Sequence, residues 1–170
     1  FGKSIDGLHI AMMGDLKYGR TVHSLSRLLC LYNNLKITLV SPKELSMPES
    51  VVSALTNAGH EVVITENMAG SIASDVIYQT RIQQERFATE EEANQYRGCF
   101  SLNLDNYQQH CNSDTVILHP LPRDSRKDAN ELDSDLNLHP NLAIFRQTDN
   151  GILVRMALLQ LVPQFDQQKY

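Results

Sequence analysis

The chain has 170 residues, a formal charge of −5, 42% hydrophobic residues and 21% charged residues. This length favours one domain with a substantial core, and the composition excludes disordered, collagen-like and coiled-coil chains. No apolar run approaches the roughly 18 residues of a membrane span, and the acidic balance argues against a nucleic-acid partner. We therefore expect a globular domain that binds neither membranes nor nucleic acids.

The cysteine pattern indicates a reducing compartment. Cys30, Cys99 and Cys111 are an odd set without CxxC spacing, whereas small secreted domains usually carry many cysteines in even number. We interpret the three as free thiols of a cytoplasmic protein. Paired ligand spacings typical of metal sites are also missing, so we expect no metal ion and no other cofactor.

Hydrophobic periodicity predicts strands and helices in alternation. Strands are predicted at residues 8–13, 36–40, 61–65, 75–79 and 115–118, and helices at residues 19–32, 48–59, 68–73 and 151–162. A polar segment, residues 82–98, fits a solvated helix or a mobile loop, and residues 142–145 fit a short edge strand. Over residues 1–170 we predict a single α/β domain. It is a three-layer α/β/α sandwich around a mainly parallel, Rossmann-like sheet of about five strands.

Ligands of parallel sheets bind at the carboxyl ends of the strands, where the first candidate site lies. The first predicted strand is followed by GDLKYGRT, residues 14–21. This run differs by one residue from the phosphate loop GxxxxGK[ST], because Arg20 replaces the lysine. Three interpretations remain open: a nucleotide triphosphatase, an anion site built from Arg20 and a helix N-terminus, and a turn whose arginine faces solvent.

Two further polar segments follow the fourth and fifth predicted strands. Arg81 can bind a carboxylate through two parallel hydrogen bonds, and Gln83 offers an amide beside it. The run HPLPR, residues 119–123, contains two prolines that lack N–H donors, which leaves carbonyl oxygens to meet an amino group. A surface loop paired to its own glutamates and a turn stiffened for packing are the alternatives. Together, Arg20 and Arg81 favour a ligand with two negative groups, either a dicarboxylate or a phosphate plus a carboxylate.

These segments resemble the aspartate carbamoyltransferase family, in the aspartate-binding half of its catalytic chain. The similarity runs in order through residues 5–163, and the residues that carry it are 13–25, 80–87, 119–123 and 149–152. The resemblance implies an enzyme that transfers the carbamoyl group of carbamoyl phosphate to the amine of L-aspartate. The products are N-carbamoyl-L-aspartate and phosphate, in pyrimidine biosynthesis.

The resemblance also implies roles for individual residues. Arg20 and Arg81 would hold the two carboxylates of aspartate, and Gln83 would assist them. Pro120 and Leu121 would present backbone groups to the reacting amine. No residue of this half receives a certain catalytic role.

A second group of residues is implied at the edge of the same site. The residues that would border carbamoyl phosphate are Leu121 and Pro122. Arg86 would fix the polar segment 82–98, which in the family closes over the ligands, and Lys17 and Tyr18 would take part in that closure.

The family's catalytic chain is much longer than this one. We therefore expect the N-terminal carbamoyl-phosphate-binding domain to be missing here and the isolated chain to be inactive. The full enzyme would be a homo-oligomer of the trimer type, with the presence of regulatory chains left open. An ornithine carbamoyltransferase-like domain and a non-catalytic module that binds a dicarboxylate or phosphate are the alternatives. Aspartate is preferred because ornithine enzymes carry Cys at the position of Leu121 and lack the KYGR run of residues 17–20.

Overall fold

A five-stranded parallel sheet forms the centre of the structure, a computed structural model that describes residues 4–124, 126 and 129–166. The strands are β1 (His9–Met13), β2 (Lys36–Val40), β3 (Glu61–Thr65), β4 (Val76–Gln79) and β5 (Val116–Leu118). Their order in the sheet is β3-β2-β1-β4-β5, and every neighbouring pair is parallel. The strands β2 and β3 thus lie on one side of β1, and β4 and β5 lie on the other. This switch in strand order leaves a crevice at the carboxyl ends of β1 and β4.

Helices cover both faces of this sheet. They are α1 (Arg20–Leu29), α2 (Glu49–Asn57), α3 (Glu90–Gln95), α4 (Leu104–His110) and α5 (Ile144–Asp166). Short 3-10 helices add to them within the described residues, at Lys43–Leu45, Gln84–Arg86 and Ser134–Leu138.

Alternating side chains of β1 divide the core into two layers, because successive residues of a strand point to opposite faces. Ile10 and Met12 lie in one buried cluster with residues of α1 and α2. Ala11 and Met13 lie in a second cluster with residues of α4 and the start of α5. The predicted three-layer α/β/α sandwich is confirmed, and its sheet is wholly rather than mainly parallel.

The predicted strands agree closely with the observed ones, whereas some helices do not. The strands at residues 36–40 and 61–65 match in full, and the other three begin one residue later than predicted. The helix predicted at residues 68–73 is wrong: this stretch is a turn in which Gly70 has a φ of +76°. Helix α4 escaped prediction because only one of its residues, Tyr107, is buried.

The remaining differences lie in the second half of the chain. The edge strand predicted at residues 142–145 is reduced to a single bridge between Leu142 and Ile117, because α5 already begins at Ile144. The polar segment 82–98 contains a 3-10 helix and α3. Residues 1–3, 125, 127–128 and 167–170 of the predicted domain lie outside the described residues.

Helix α5 is far less buried than the rest of the fold. Its first residue, Ile144, is fully buried, but its apolar side chains further along are 46–73% exposed. These exposed residues are Ile152, Leu153, Val154, Met156, Leu158, Leu159, Leu161 and Val162. Within the described residues, no helix is both long enough and apolar enough to span a membrane.

Candidate functional site

A cavity of about 240 Å³ lies at the carboxyl ends of β1, β4 and β5. It contains six of the residues identified from the sequence: Arg20, Arg81, Gln83, Pro120, Leu121 and Pro122. Thr80 and His119 also line it. Three segments that are far apart in the chain meet here because their parallel strands end at the same edge of the sheet.

A buried carboxylate joins the loop after β1 to the segment after β4. Asp15 is fully buried, and its Oδ1 accepts a hydrogen bond of 2.8 Å from the Tyr18 N–H. Its Oδ2 lies 3.4 Å from the Gln83 nitrogen, and the Gln83 side chain donates to the Tyr18 carbonyl at 3.0 Å. These hydrogen bonds join the loop that precedes Arg20 to the segment that contains Arg81, and so keep the two arginines on neighbouring segments.

The loop after β1 is not built like a phosphate loop. A phosphate loop directs its N–H groups at the ligand, but here several are bonded within the protein. Gly14 donates to the Val40 carbonyl, and Leu16 donates to the Leu45 carbonyl. With the Tyr18 N–H on Asp15, these contacts argue against the nucleotide triphosphatase interpretation.

Gly14 allows this loop to pass directly beside the segment after β4. Its φ is +113°, which L side chains rarely adopt, and a Cβ at this position would overlap the Thr80 carbonyl oxygen. Thr80 in turn donates its backbone N–H to the Met13 carbonyl at 2.8 Å. The close approach of the two strand ends therefore depends on a glycine.

The two arginines of the cavity have different surroundings. Arg20 is the first residue of α1 and is exposed, and its guanidinium has no hydrogen-bond or ion-pair partner among the described residues. Arg81 is half-buried and lies near Asp124. The hydrogen bond from Arg126 lowers the pKa of Asp124 most, and the charge of Arg81 lowers it further. Arg20 is thus available to an anion next to the positive end of the α1 dipole.

The turn after β5, residues 119–122, is held by a buried histidine. His119 is 1% exposed, and its Nδ1 accepts the Leu121 N–H at 2.9 Å. Its Nε2 lies 2.8 Å from Oε1 of Glu131, which is also buried. Leu121 adopts a φ of +55°, and the Leu121–Pro122 peptide bond is cis. Because both ring nitrogens are engaged, His119 is not placed to exchange a proton with a ligand in the cavity.

Glu131 was missed in the sequence analysis. It lies 12 residues beyond His119 in a polar stretch, where no local periodicity marks one acidic residue as buried. Its carboxylate also accepts the Asp124 N–H, with both oxygens 3.2 Å from that nitrogen. Only the folded chain reveals that this residue supports the turn.

Lys17 and Tyr18 line a neighbouring cavity of about 360 Å³ and not the first one. The Tyr18 ring meets the Phe87 ring edge-on at a centroid distance of 6.4 Å, and Phe87 stacks on Tyr96 at 5.5 Å. The Lys17 Nζ lies 5.1 Å from the centre of the Tyr18 ring. Phe87, to which the sequence analysis gave no individual role, thus attaches the segment 82–98 to the loop after β1, and Tyr96 packs behind it.

The edge of this second cavity carries acidic side chains. Glu44 and Glu92 line it together with Tyr96. Partial burial raises the pKa of the Tyr96 hydroxyl, and the hydrogen-bonded Glu44 carboxylate raises it further. Arg86 is exposed and lines neither cavity.

The first cavity combines two kinds of recognition. Arg20 and Arg81 offer positive charge to negative groups, while residues 119–122 form a wall in which the two prolines have no N–H to donate. Its size suits a small molecule. Among the described residues, no three His, Cys, Asp or Glu side chains are grouped so as to hold a metal ion.

Comparisons with known proteins identify the family of the chain. Residues 6–162 match the family model described as aspartate/ornithine carbamoyltransferase, Asp/Orn binding domain. The aspartate carbamoyltransferase catalytic subunit of Cellvibrio japonicus is 64% identical over 162 residues, which are 95% of this chain and 48% of that protein.

Solved structures give the same result. The catalytic subunit of aspartate transcarbamoylase from M. jannaschii has a TM-score of 0.77 and 39% identity, over 91% of this chain and 48% of that one. Aspartate transcarbamoylase from Trypanosoma cruzi, in complex with aspartate and phosphate, has a TM-score of 0.77 and 33% identity, over 92% and 47%. The chain spans about half the length of the relatives it matches. The family model and these relatives show that the chain belongs to the aspartate/ornithine carbamoyltransferase family, in its Asp/Orn binding domain.

Proposed function

We propose that this chain is the L-aspartate-binding part of an aspartate carbamoyltransferase of pyrimidine biosynthesis. The observation that carries the proposal is that Arg20 and Arg81 line one small cavity together with Gln83. Two guanidinium groups suit the two carboxylates of L-aspartate, and an ornithine side chain would bring a third positive charge to them.

In the proposed reaction, the amine of aspartate attacks the carbonyl carbon of carbamoyl phosphate. A C–N bond forms, the bond from that carbon to the phosphate oxygen breaks, and the amine proton leaves with the phosphate. Acceleration then comes from positioning the amine and stabilising the developing oxyanion. Arg20, Arg81 and Gln83 would hold the aspartate, and the carbonyl groups of Pro120 and Leu121 would orient its amine.

We assign most of the carbamoyl-phosphate contacts to residues outside these 170. Leu121 and Pro122 would border that substrate from this side of the site. The short span of this chain on its relatives, 48% of the Cellvibrio japonicus protein, supports the assignment. The isolated chain is then expected to bind aspartate without turning it over.

The segment 82–98 would close over the bound ligands. The edge-on contact of the Phe87 ring with the Tyr18 ring supports this role, because it joins the segment to the loop that precedes Arg20. Lys17 and Tyr18 would make the contacts of closure. Arg86, which is exposed in this structure, would fix the segment.

We further propose that the complete enzyme is a homo-oligomer of the trimer type in the cytoplasm. Support for an assembly comes from the relatives, which are named catalytic subunits. Support for a reducing compartment comes from the three cysteines, which are all free thiols.

Calorimetric titration of the chain with L-aspartate, succinate and L-ornithine tests the binding half of the proposal. Arg81→Ala and Arg20→Ala should each weaken aspartate binding by about tenfold or more, because each removes a charge-assisted contact. Arg27→Ala is the matched control, since Arg27 is exposed on the same helix as Arg20 and lines neither cavity. Tighter binding of ornithine than of aspartate would overturn the choice of substrate.

A product assay tests the assignment of the missing contacts. The chain alone should form no N-carbamoyl-L-aspartate above the rate without enzyme. Addition of a separately produced carbamoyl-phosphate-binding domain from a relative should restore formation, and Arg81→Ala should abolish that restored activity. Turnover by the chain alone would show that these residues hold a complete site.

A further inference from the structure

The turn at residues 119–122 offers the cavity no hydrogen-bond donor from its backbone. The His119 N–H donates to Oε1 of Gln147 at 3.1 Å, and the Leu121 N–H donates to Nδ1 of His119 at 2.9 Å. Pro120 and Pro122 have no N–H group. All four backbone positions of the turn are therefore without a free donor.

The carbonyl oxygens of the same turn, in contrast to its N–H groups, have no hydrogen-bond partner among the described residues. None of the four accepts a hydrogen bond from another residue within the part of the chain that the structure describes. Pro120, Leu121 and Pro122 line the cavity that contains Arg20 and Arg81. The backbone of this wall can thus accept hydrogen bonds from a ligand but cannot donate any.

Two prolines remove donors by their chemistry, but the Leu121 N–H is removed by a contact. That contact requires a lone pair on Nδ1 of His119, so the ring proton must be on Nε2. Glu131 favours this tautomer because its Oε1 lies 2.8 Å from Nε2 and accepts that proton's hydrogen bond. The Asp124 N–H holds the Glu131 carboxylate in place from the other side.

We propose that His119 and Glu131 are positioning residues that set the specificity of the cavity for a ligand with an amino group. Glu131 holds the imidazole tautomer, the imidazole captures the Leu121 N–H, and the turn is left with acceptors only. Such a wall favours an N–H donor and disfavours a further anionic group. This inference rests on the proposed function and extends it, since it explains how a site that binds dianions through Arg20 and Arg81 selects the one that carries an amine.

Succinate is the discriminating probe, because it has the two carboxylates of aspartate and lacks the amine. Arg81→Ala should weaken both ligands by similar factors. A change that frees the Leu121 N–H should instead weaken aspartate selectively, since a donor would then compete with the amine for the same wall.

A matched pair of variants at His119 isolates this effect. His119→Phe and His119→Asn both remove the contact with Glu131, but only Asn places an oxygen acceptor near the position of Nδ1. The ratio of aspartate to succinate affinity should fall by about tenfold in His119→Phe and remain within about threefold of its starting value in His119→Asn. Equal ratios in the two variants would overturn the inference.

Hydrogen exchange at the Leu121 amide tests the same contact without any ligand. This amide should be protected in the unaltered chain and in His119→Asn, and should exchange as fast as an open loop in His119→Phe. Fast exchange in the unaltered chain would refute the inference on its own. If the unaltered chain bound neither aspartate nor succinate, the proposed function would fail, and exchange at Leu121 would still decide whether the turn is limited to acceptors.

Discussion

Two segments beside the candidate site are held in place by different means. The loop after β1, residues 14–19, has a buried interior: Asp15 and Leu16 are fully inaccessible, and backbone N–H groups of the loop donate to partners inside the protein. The segment 82–98 is largely exposed, with Ile82 and Ala93 as its buried residues among those described. Its attachments include the ring contacts of Phe87 and a hydrogen bond from Arg126 to Gln84.

This difference predicts which single substitutions should destabilise the domain most. A buried polar group that loses its partner keeps the full penalty of desolvation, whereas an exposed group regains water. Substitutions of the buried residues in the loop 14–19 should therefore lower the free energy of unfolding of the whole domain. Substitutions in the segment 82–98 should release that segment alone.

The largest effect is expected from Gly14→Ala. A Cβ at this position would overlap the Thr80 carbonyl oxygen, and the φ of +113° is strained for alanine. We expect a loss of about 3 kcal/mol or more in the free energy of unfolding, measured by urea denaturation. Gly59→Ala is the control, because Gly59 also has a positive φ but no atom within 4 Å of the point that a Cβ would occupy. Equal losses of unfolding free energy in both variants would show that overlap with Thr80 is not the cause of the destabilisation.

The next effect is expected from Asp15→Ala. The change leaves the half-buried Tyr18 N–H without its acceptor at 2.8 Å and removes the link from the buried Asp15 to Gln83. The expected loss is about 2–3 kcal/mol, because the acceptor is a buried charged group. Asp6→Ala is the control, since exposed Asp6 accepts the Asn33 N–H at 2.7 Å and should cost well under half as much. If Asp15→Ala lost no more unfolding free energy than Asp6→Ala, the loop 14–19 would not depend on its buried polar contacts, and the difference between the two segments would be refuted.

A smaller and local effect is expected from Phe87→Ala. Removal of this ring breaks its contacts with Tyr18 and Tyr96, which are worth about 1 kcal/mol. Hydrogen exchange should accelerate across residues 84–97, while the urea midpoint of the domain changes little. Phe145→Ala serves as the control, because Phe145 is an exposed residue of α5 outside both cavities. A global loss of stability equal to that of Asp15→Ala would show that the segment is part of the cooperative core.

The smallest effect on stability is expected from lowering the pH. The Arg126 hydrogen bond lowers the pKa of Asp124 in the folded state. The carboxylate therefore contributes stability that is present above its unfolded-state pKa and is lost as the pH falls through the folded-state value. Unfolding measured from about pH 5 to about pH 2 should show a shrinking difference between the unaltered chain and Asp124→Asn. A constant difference over that range would contradict the assigned cause.

Much of the fold could be predicted from local patterns, because the spacing of apolar residues along the sequence indicates which segments are buried strands or helices. Strands β2 and β3 were predicted in full, since each is a short apolar run between turn residues. Helix α4 was not, because a helix with one buried residue has no apolar stripe. The stretch at residues 68–73 was predicted as a helix, but it is a turn in which Gly70 has a positive φ.

The cavity was also partly predictable. Arg20, Arg81 and the turn at residues 119–122 were identified because parallel strands end at one edge, so residues after them must meet. Glu131, Phe87 and Tyr96 were not identified, because their importance lies in partners distant in the chain.

The sequence by itself determined the parallel α/β architecture and the positions of the two cavity arginines. Periodicity, strand ends and turn chemistry are local properties that need no knowledge of packing. Only the tertiary structure decided which hydrogen-bond donors remain free at the site. The burial of Asp15 and the contact of His119 with Glu131 depend on segments brought together by the fold, and no local pattern encodes such contacts.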